Sequence, residues 1–270
     1  MLKHLPFLNI PAHKNAVSFS LGQKIYTPED TESSDLIVDD RPYAGYTYLA
    51  AGFHSRSALR KHSWEFNVGI VGPHSYAQDV QDMFHVWIGS PRAKGWSHQL
   101  KDELGIEMTF ETQWRLLHAD FGKGFGSDVI SHLGGSLGNV SIYANCGAEA
   151  RFGWHLPKNF GTCPIRTGCE TGSAIYDESD NGIFQDKRIG FHFFVAVDGR
   201  GVLRDIFLDG NTFTDSHSVD KETFVADLMA GFSFEYHFFK LNYSYIYRTK
   251  QFKTQKNEQI FGAISVSYSY

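Results

Sequence analysis

The sequence lacks any run of roughly 18 apolar residues, and that excludes a membrane-spanning helix. The stretch from Met1 to Asn15 carries Pro6, Pro11 and several polar residues where a secretory leader would have an apolar core, a pattern that taken literally belongs to a cytoplasmic chain. There is no basic surplus: 25 Lys and Arg stand against 30 Asp and Glu, a net charge of -5, so no global field recruits nucleic acid. Charged residues are only 20% of the chain, below the usual quarter. Of the 3 Cys, Cys163 and Cys169 share one loop, where an oxidising compartment would let them pair, and Cys146 sits in a strand-like run. Too few partners surround them for a zinc site.

What the chain has in quantity is aromatic side chains, 23 Phe and 13 Tyr, arranged with period two. Val17, Phe19 and Leu21 alternate with Ser18, Ser20 and Gly22; Trp64, Phe66, Val68 and Ile70 alternate with Ser63, Glu65, Asn67 and Gly69. The same alternation recurs over Tyr43 to His54, Ile106 to Leu116, Val129 to Gly135, Val140 to Phe152, Ile189 to Leu208, Phe224 to Tyr236, Phe239 to Arg248 and Ile264 to Tyr270. About ten strands are therefore expected, each with one apolar face and one face of Glu, Arg, Asn, Gln and Lys. A bend is expected near Gly199 and Gly201.

A soluble sandwich gives a similar alternation. Two features favour an antiparallel transmembrane β-barrel: strands long enough to cross a bilayer at a tilt, and a last alternating strand that runs into the terminal Tyr270. A mean hydropathy of -0.30 fits a barrel as well as a soluble protein, because lumen-facing polar residues offset the lipid-facing ones. With the C-terminus on the periplasmic side, parity places residues 250–259, 209–221 and 72–104 at the outer surface.

The segment from Gly72 to His85 carries the chemistry. Gln78, Gln81 and His85 fall at i, i+3 and i+7, one face of a short helix, while Val80, Phe84 and Trp87 fall on another that is expected to pack down. A helix offering a His and two Gln is a plausible catalytic element; a solvated surface helix is the plain alternative. Asp79 and Asp82 flank Gln81, where they could approach a cation, but solvation on the helix surface is the expected role. Gly134-Gly135-Ser136-Leu137-Gly138 has the spacing of a nucleophile elbow, but strands flank it on both sides, so a hairpin turn is expected there. The Gly-rich stretch from Phe121 to Gly126 lacks the Walker spacing of a phosphate loop.

Several spaced stretches together resemble one family. They are residues 22–30 (GQKIYTPED), Asp40-Arg41-Pro42-Tyr43-Ala44-Gly45-Tyr46, Val71-Gly72-Pro73 with Gln78, Gln81 and His85, and Gly95-Trp96 with Gln99, Leu100 and Glu103. Further on come Leu137-Gly138-Asn139-Val140, residues 206–211 (IFLDGN), and Arg248-Thr249-Lys250 with Phe252, Lys253 and Gln255. This set is similar to the lipid A 3′-O-deacylase (LpxR) family of outer-membrane proteins, from about Ser18 onward. The division of the chain is therefore residues 1–15 as a segment outside the family pattern and 16–270 as one barrel domain.

The resemblance implies a twelve-stranded antiparallel barrel in the bacterial outer membrane, with an active site between the barrel wall and a helix from an outer loop. It implies hydrolysis of the 3′-acyloxyacyl ester of lipid A, with the family's catalytic His and Gln matching His85 and Gln81, and a bound Ca²⁺ stabilising the oxyanion. Ester hydrolysis needs a base for water and a charge partner for the oxyanion, and His and Ca²⁺ suit those roles. Arg92, Lys94, Lys250 and Lys253 are candidates to meet the phosphates of lipid A; ordinary solvated loop charge is the alternative. The expected partners are lipopolysaccharide and outer-membrane lipid, with no nucleic acid, and the expected state is monomeric. The family's opening strand with an Asn-Asp pair, its following Tyr-Thr-x-Gly turn, and a loop lysine have no counterpart here. About two strands are then missing, the metal ligands are unassigned, and a structural barrel without activity is the competing expectation.

Overall fold

The computed structural model describes residues 14–161, 189–237 and 239–268. Cys163 and Cys169, the terminal Tyr270 and most of the 1–15 segment lie outside them. Ten strands form one sheet: β1 (Lys14–Tyr26), β2 (Ala44–Arg56), β3 (Arg60–Val71), β4 (Glu103–Gly122), β5 (Phe125–Gly138), β6 (Ser141–Trp154), β7 (Ile189–Asp205), β8 (Phe224–Tyr236), β9 (Phe239–Arg248) and β10 (Gln259–Tyr268). Each pairs antiparallel with its neighbours in chain order, and the sheet curls around a lumen while β1 and β10 remain unpaired with each other. Among the described residues two α-helical elements join it, α1 (Ala77–Ile88) and the single turn α2 (Ile206–Asp209), with short 3-10 turns at Pro73–Ser75 and Gly95–His98. No helix is long and apolar enough to cross a membrane, among the described residues.

The alternation is inverted relative to a water-soluble protein. Phe19 is 83% exposed and Leu21 73%, whereas Glu65, Asn67, Glu107, Asp128, Arg151, Asp198 and Asp227 are buried. Water would reverse that arrangement; a bilayer outside and a polar lumen inside explain it. Inside, the charges neutralise one another. Asp128 accepts two hydrogen bonds from Arg151, at 2.8 and 2.6 Å, and Asp227 accepts two from Arg248, at 2.7 and 2.8 Å, plus one from Arg200 at 3.0 Å. Asp198 accepts from His132 Nε2 at 2.7 Å. Asn159, beyond β6, folds back into the lumen and bonds Arg151 and Glu235.

The connections at one end of the sheet are long and knitted together. Residues 27–43, 72–102, 206–223 and 249–258 all leave from this end. Arg41 Nη2 donates to Gln251 Oε1 at 2.8 Å, Thr254 Oγ1 donates to the Asp39 carbonyl at 2.6 Å, and Asn211 bonds both Lys101 and Glu103. Ala44, Tyr46, Val71, Leu100, Val140, Ile206 and Phe207 form the apolar cluster beneath them.

Two expectations need correction, the end of β7 and the turn at residues 134–138. The strand expected to reach Leu208 stops at Asp205, because Asp205 accepts the Phe207 N–H at 3.0 Å and caps a helical turn. The β6–β7 register shifts between Ile142 and Tyr143, which leaves Leu203 unpaired two residues beyond Gly201. Residues 134–138 are the end of β5 rather than a hairpin turn, since the chain reverses only at Asn139 and Val140. The Gly-rich stretch at 121–126 is a β4–β5 hairpin, with Lys123 and Gly124 at φ 54° and 84°.

Candidate active site

Helix α1 lies on the outside of the wall. On β1 and β2 the lumen-facing side chains are Lys24, Tyr26, Tyr46 and Tyr48, so by alternation Gln23, Ile25, Gly45 and Thr47 face outward. Those outward residues receive the helix. Gln23 Nε2 donates to Thr47 Oγ1 at 2.9 Å and to the Ser75 carbonyl at 2.8 Å, and Thr47 Oγ1 donates to the same carbonyl at 2.7 Å. A Cβ on Gly45 would come within 2.1 Å of Ser75 Oγ and 2.2 Å of Ala77 Cβ, so only glycine lets the helix start this close to the strand. Ile25 packs beside Tyr43, Ala77, Ala93 and Trp96.

The chain turns into and out of α1 through left-handed residues, Tyr76 at φ 56° and Gly89 at φ 70°, and returns along the helix. His74 braces the entry: its backbone N–H and its Nδ1 both meet the Asp102 carboxylate, at 2.9 and 2.6 Å. The return segment meets the face predicted to be functional. Trp96 Nε1 donates to Gln81 Oε1 at 2.9 Å, and Trp96 is buried with its ring 5.1 Å from that of Tyr43. His85 Nδ1 lies 2.6 Å from the Pro91 carbonyl oxygen. A carbonyl only accepts, so Nδ1 carries a proton, and the neutral tautomer compatible with this contact has its lone pair at Nε2.

Gln81 and His85 are both half-buried on one side of α1, and Gln78 is exposed. The apolar face expected to pack down does not: Val80, Phe84 and Trp87 are 39, 51 and 80% exposed, and Met83 is 68%. The helix is held instead by Ala77 at its start and by polar contacts to residues 91–96, which leaves its apolar side exposed. Asp82 departs from the expected solvation: its Oδ1 is buried and has no hydrogen-bond partner. Arg92 and Lys94 are exposed on the return segment beside His85. Lys250 and Lys253 stand apart on the β9–β10 connection, Lys253 3.7 Å from Asp220.

Sequence reasoning passed over Trp96 and Pro91 as positioning groups. Both were visible, but their partners are a chain reversal away. Asp82 has one buried carboxylate oxygen without a hydrogen-bond partner, and among the described residues no three His, Cys, Asp or Glu side chains gather as a metal cluster.

A family model described as "Outer membrane protein LpxR" matches residues 1–270. The chain belongs to the LpxR family. It is an outer-membrane β-barrel protein, as the inverted wall also requires. The solved structure of LpxR from Salmonella typhimurium superimposes with a TM-score of 0.77 at 19% identity, over 95% of this chain and 84% of that one. At that identity the LpxR likeness speaks for the fold. No curated protein sequence matched the chain.

Proposed function

We propose that the chain is a lipid A 3′-O-deacylase that hydrolyses the 3′-acyloxyacyl ester, with His85 as general base and Gln81 assisting. The observation that carries this reading is the placement of His85. It stands at the outer end of a lipid-facing wall, Nδ1 engaged by Pro91 and Nε2 left to take a proton. Below it run the exposed side chains of Val17, Phe19 and Leu21 on β1 and Leu49 on β2, a surface suited to acyl chains.

In this reading the acyl chains of lipid A lie between that wall and the apolar side of α1. Nε2 removes a proton from water, the water oxygen attacks the acyl carbonyl, and the C–O bond to the sugar breaks. The proton passes to the leaving alkoxide, giving a free acyloxyacyl acid and a 3′-hydroxyl. Gln81, held by Trp96 through its carbonyl, has its amide N–H groups to offer to water or substrate. Arg92 and Lys94 meet the phosphates near the helix, and Lys250 and Lys253 meet those reaching the neighbouring connection. Ca²⁺, which the resemblance implies, would when bound supply positive charge to the developing oxyanion.

The test is mass spectrometry of lipid A after incubation with the chain folded in detergent or in membranes. Loss of the acyloxyacyl group is expected, and His85→Ala is expected to lower its rate by about 10²–10⁴-fold. Deacylation that persists undiminished in His85→Ala would overturn the mechanism. A folded barrel leaving lipid A intact would instead favour a structural role.

A further inference from the structure

The 72–102 connection carries Gln81 and His85, and its base is closed by side chains that lie outside it. Its first and last residues touch. A Cβ on Gly72, at φ 103°, would come within 2.6 Å of the Lys101 carbonyl carbon and 2.7 Å of the Asp102 nitrogen. Asp102 holds His74, two residues before α1 turns in. Lys101 is held from the 206–223 connection. Asn211 Oδ1 accepts the Lys101 N–H at 2.9 Å, and Asn211 Nδ2 donates to the Lys101 carbonyl at 2.8 Å. One side-chain amide therefore engages both backbone polar groups of Lys101, as a neighbouring strand would.

Glu103, the buried first residue of β4, orients that amide. Its Oε2 accepts from Asn211 Nδ2 at 3.1 Å and from the Thr212 N–H at 2.7 Å, and its Oε1 accepts from Asn139 Nδ2 at 2.8 Å. All three donors are neutral amides. An ionised carboxylate accepts at both oxygens, whereas a side-chain amide in its place would turn its own N–H groups toward Asn139 or toward Asn211 and Thr212. The opposite charge reaches the same groups. Arg204 of β7 donates to the carbonyls of Asn139 and Gly210, at 3.1 and 3.0 Å, and to Thr212 Oγ1 at 2.9 Å. Asn139 and residues 210–212 are clasped between an anion from β4 and a cation from β7, and the end of the 72–102 connection is clasped with them.

We propose that Glu103 is a positioning residue for the reaction at His85. Its carboxylate fixes Asn211, Asn211 fixes Lys101, and Lys101 with Asp102 seats Gly72 and His74, from which α1 starts. Glu103 acts through these links and not on substrate. The kinetic consequence rests on the deacylase reading; the seating of the connection does not.

The experiment compares the detergent-folded full chain with Glu103→Gln, Glu103→Asp and Asn211→Ala, by lipid A deacylation kinetics and by amide hydrogen exchange. Glu103→Gln is expected to lower kcat about tenfold with KM changed by less than about twofold, because the lipid-facing side chains are untouched. Glu103→Asp keeps the charge and is expected to recover part of the loss. Exchange is expected to quicken in peptides from residues 74–99 and to hold its wild-type rate in β6 to β9. Asn211→Ala breaks the same chain of contacts at the surface, should Glu103→Gln fail to fold. It is expected to lower kcat by a similar factor and to add little when combined with Glu103→Gln. If the wild-type chain leaves lipid A intact, the deacylase reading fails and the exchange rates alone decide whether Glu103 seats the connection. Wild-type kcat and exchange in Glu103→Gln, exchange quickened equally throughout the barrel, or fully additive losses in the double variant would overturn the proposal.

Discussion

At the scale of single residues, the site rests on two hydrogen bonds made by groups that carry no catalytic chemistry themselves. The Pro91 carbonyl sets the tautomer of His85, and the Trp96 N–H fixes the amide orientation of Gln81. Trp96→Phe keeps the buried ring against Tyr43 but removes the donor. A neutral hydrogen bond is worth about 1 kcal/mol, so kcat for acyl release is expected to fall about fivefold, with KM little changed. A change in KM alone would show that Trp96 shapes the lipid surface and does not position Gln81.

At the scale of elements, α1 is placed by a close approach to β2. Gly45→Ala sets a methyl against Ala77 Cβ, which cannot rotate away, so the helix start must lift from the wall. The expected result is loss of deacylation together with faster protease cleavage between residues 72 and 102, in a barrel that stays folded by its heat-modified mobility on gels. Unchanged cleavage would show that the contact tolerates a methyl. The exposed side of α1 makes a second prediction. Trp87 is 80% exposed, and burying such a side chain in lipid is worth roughly 1.5–3 kcal/mol. Trp87→Glu is then expected to raise KM for lipid A about ten- to a hundredfold while sparing kcat; an unchanged KM would place Trp87 in water.

At the scale of the whole molecule, the wall is greasy outside and ionic within. The Asp128–Arg151 pair is buried, at 2.6 Å. Removing Arg151 leaves Asp128 only Arg115, 3.4 Å away, so Arg151→Met is expected to destabilise the folded barrel by about 3–5 kcal/mol in urea unfolding from lipid vesicles, whereas Arg151→Lys, which keeps the charge, recovers part of the loss. The same inversion predicts that the purified chain needs detergent to remain dispersed; a chain monodisperse in water would overturn the membrane assignment.

Much of this was legible in the sequence, for a reason that can be stated residue by residue. Period two is a property of the extended backbone itself, so Phe19 and Leu21 against Ser18 and Ser20, or Leu241 and Tyr243 against Asn242 and Ser244, declare a strand and its two faces before any contact exists. The spacing of Gln81 and His85 declares a shared helix face in the same way. What periodicity does not contain is which medium each face meets and which distant segment each face touches. That Phe84 and Trp87 stay uncovered, that Asp205 ends β7 by capping a turn, that Trp96 and Pro91 return to Gln81 and His85, and that Arg41 reaches Gln251 across 210 positions of chain were decided by tertiary structure alone. Local alternation is written in neighbours two to four residues apart; these contacts depend on how the whole sheet curls, and no short window of sequence holds that information.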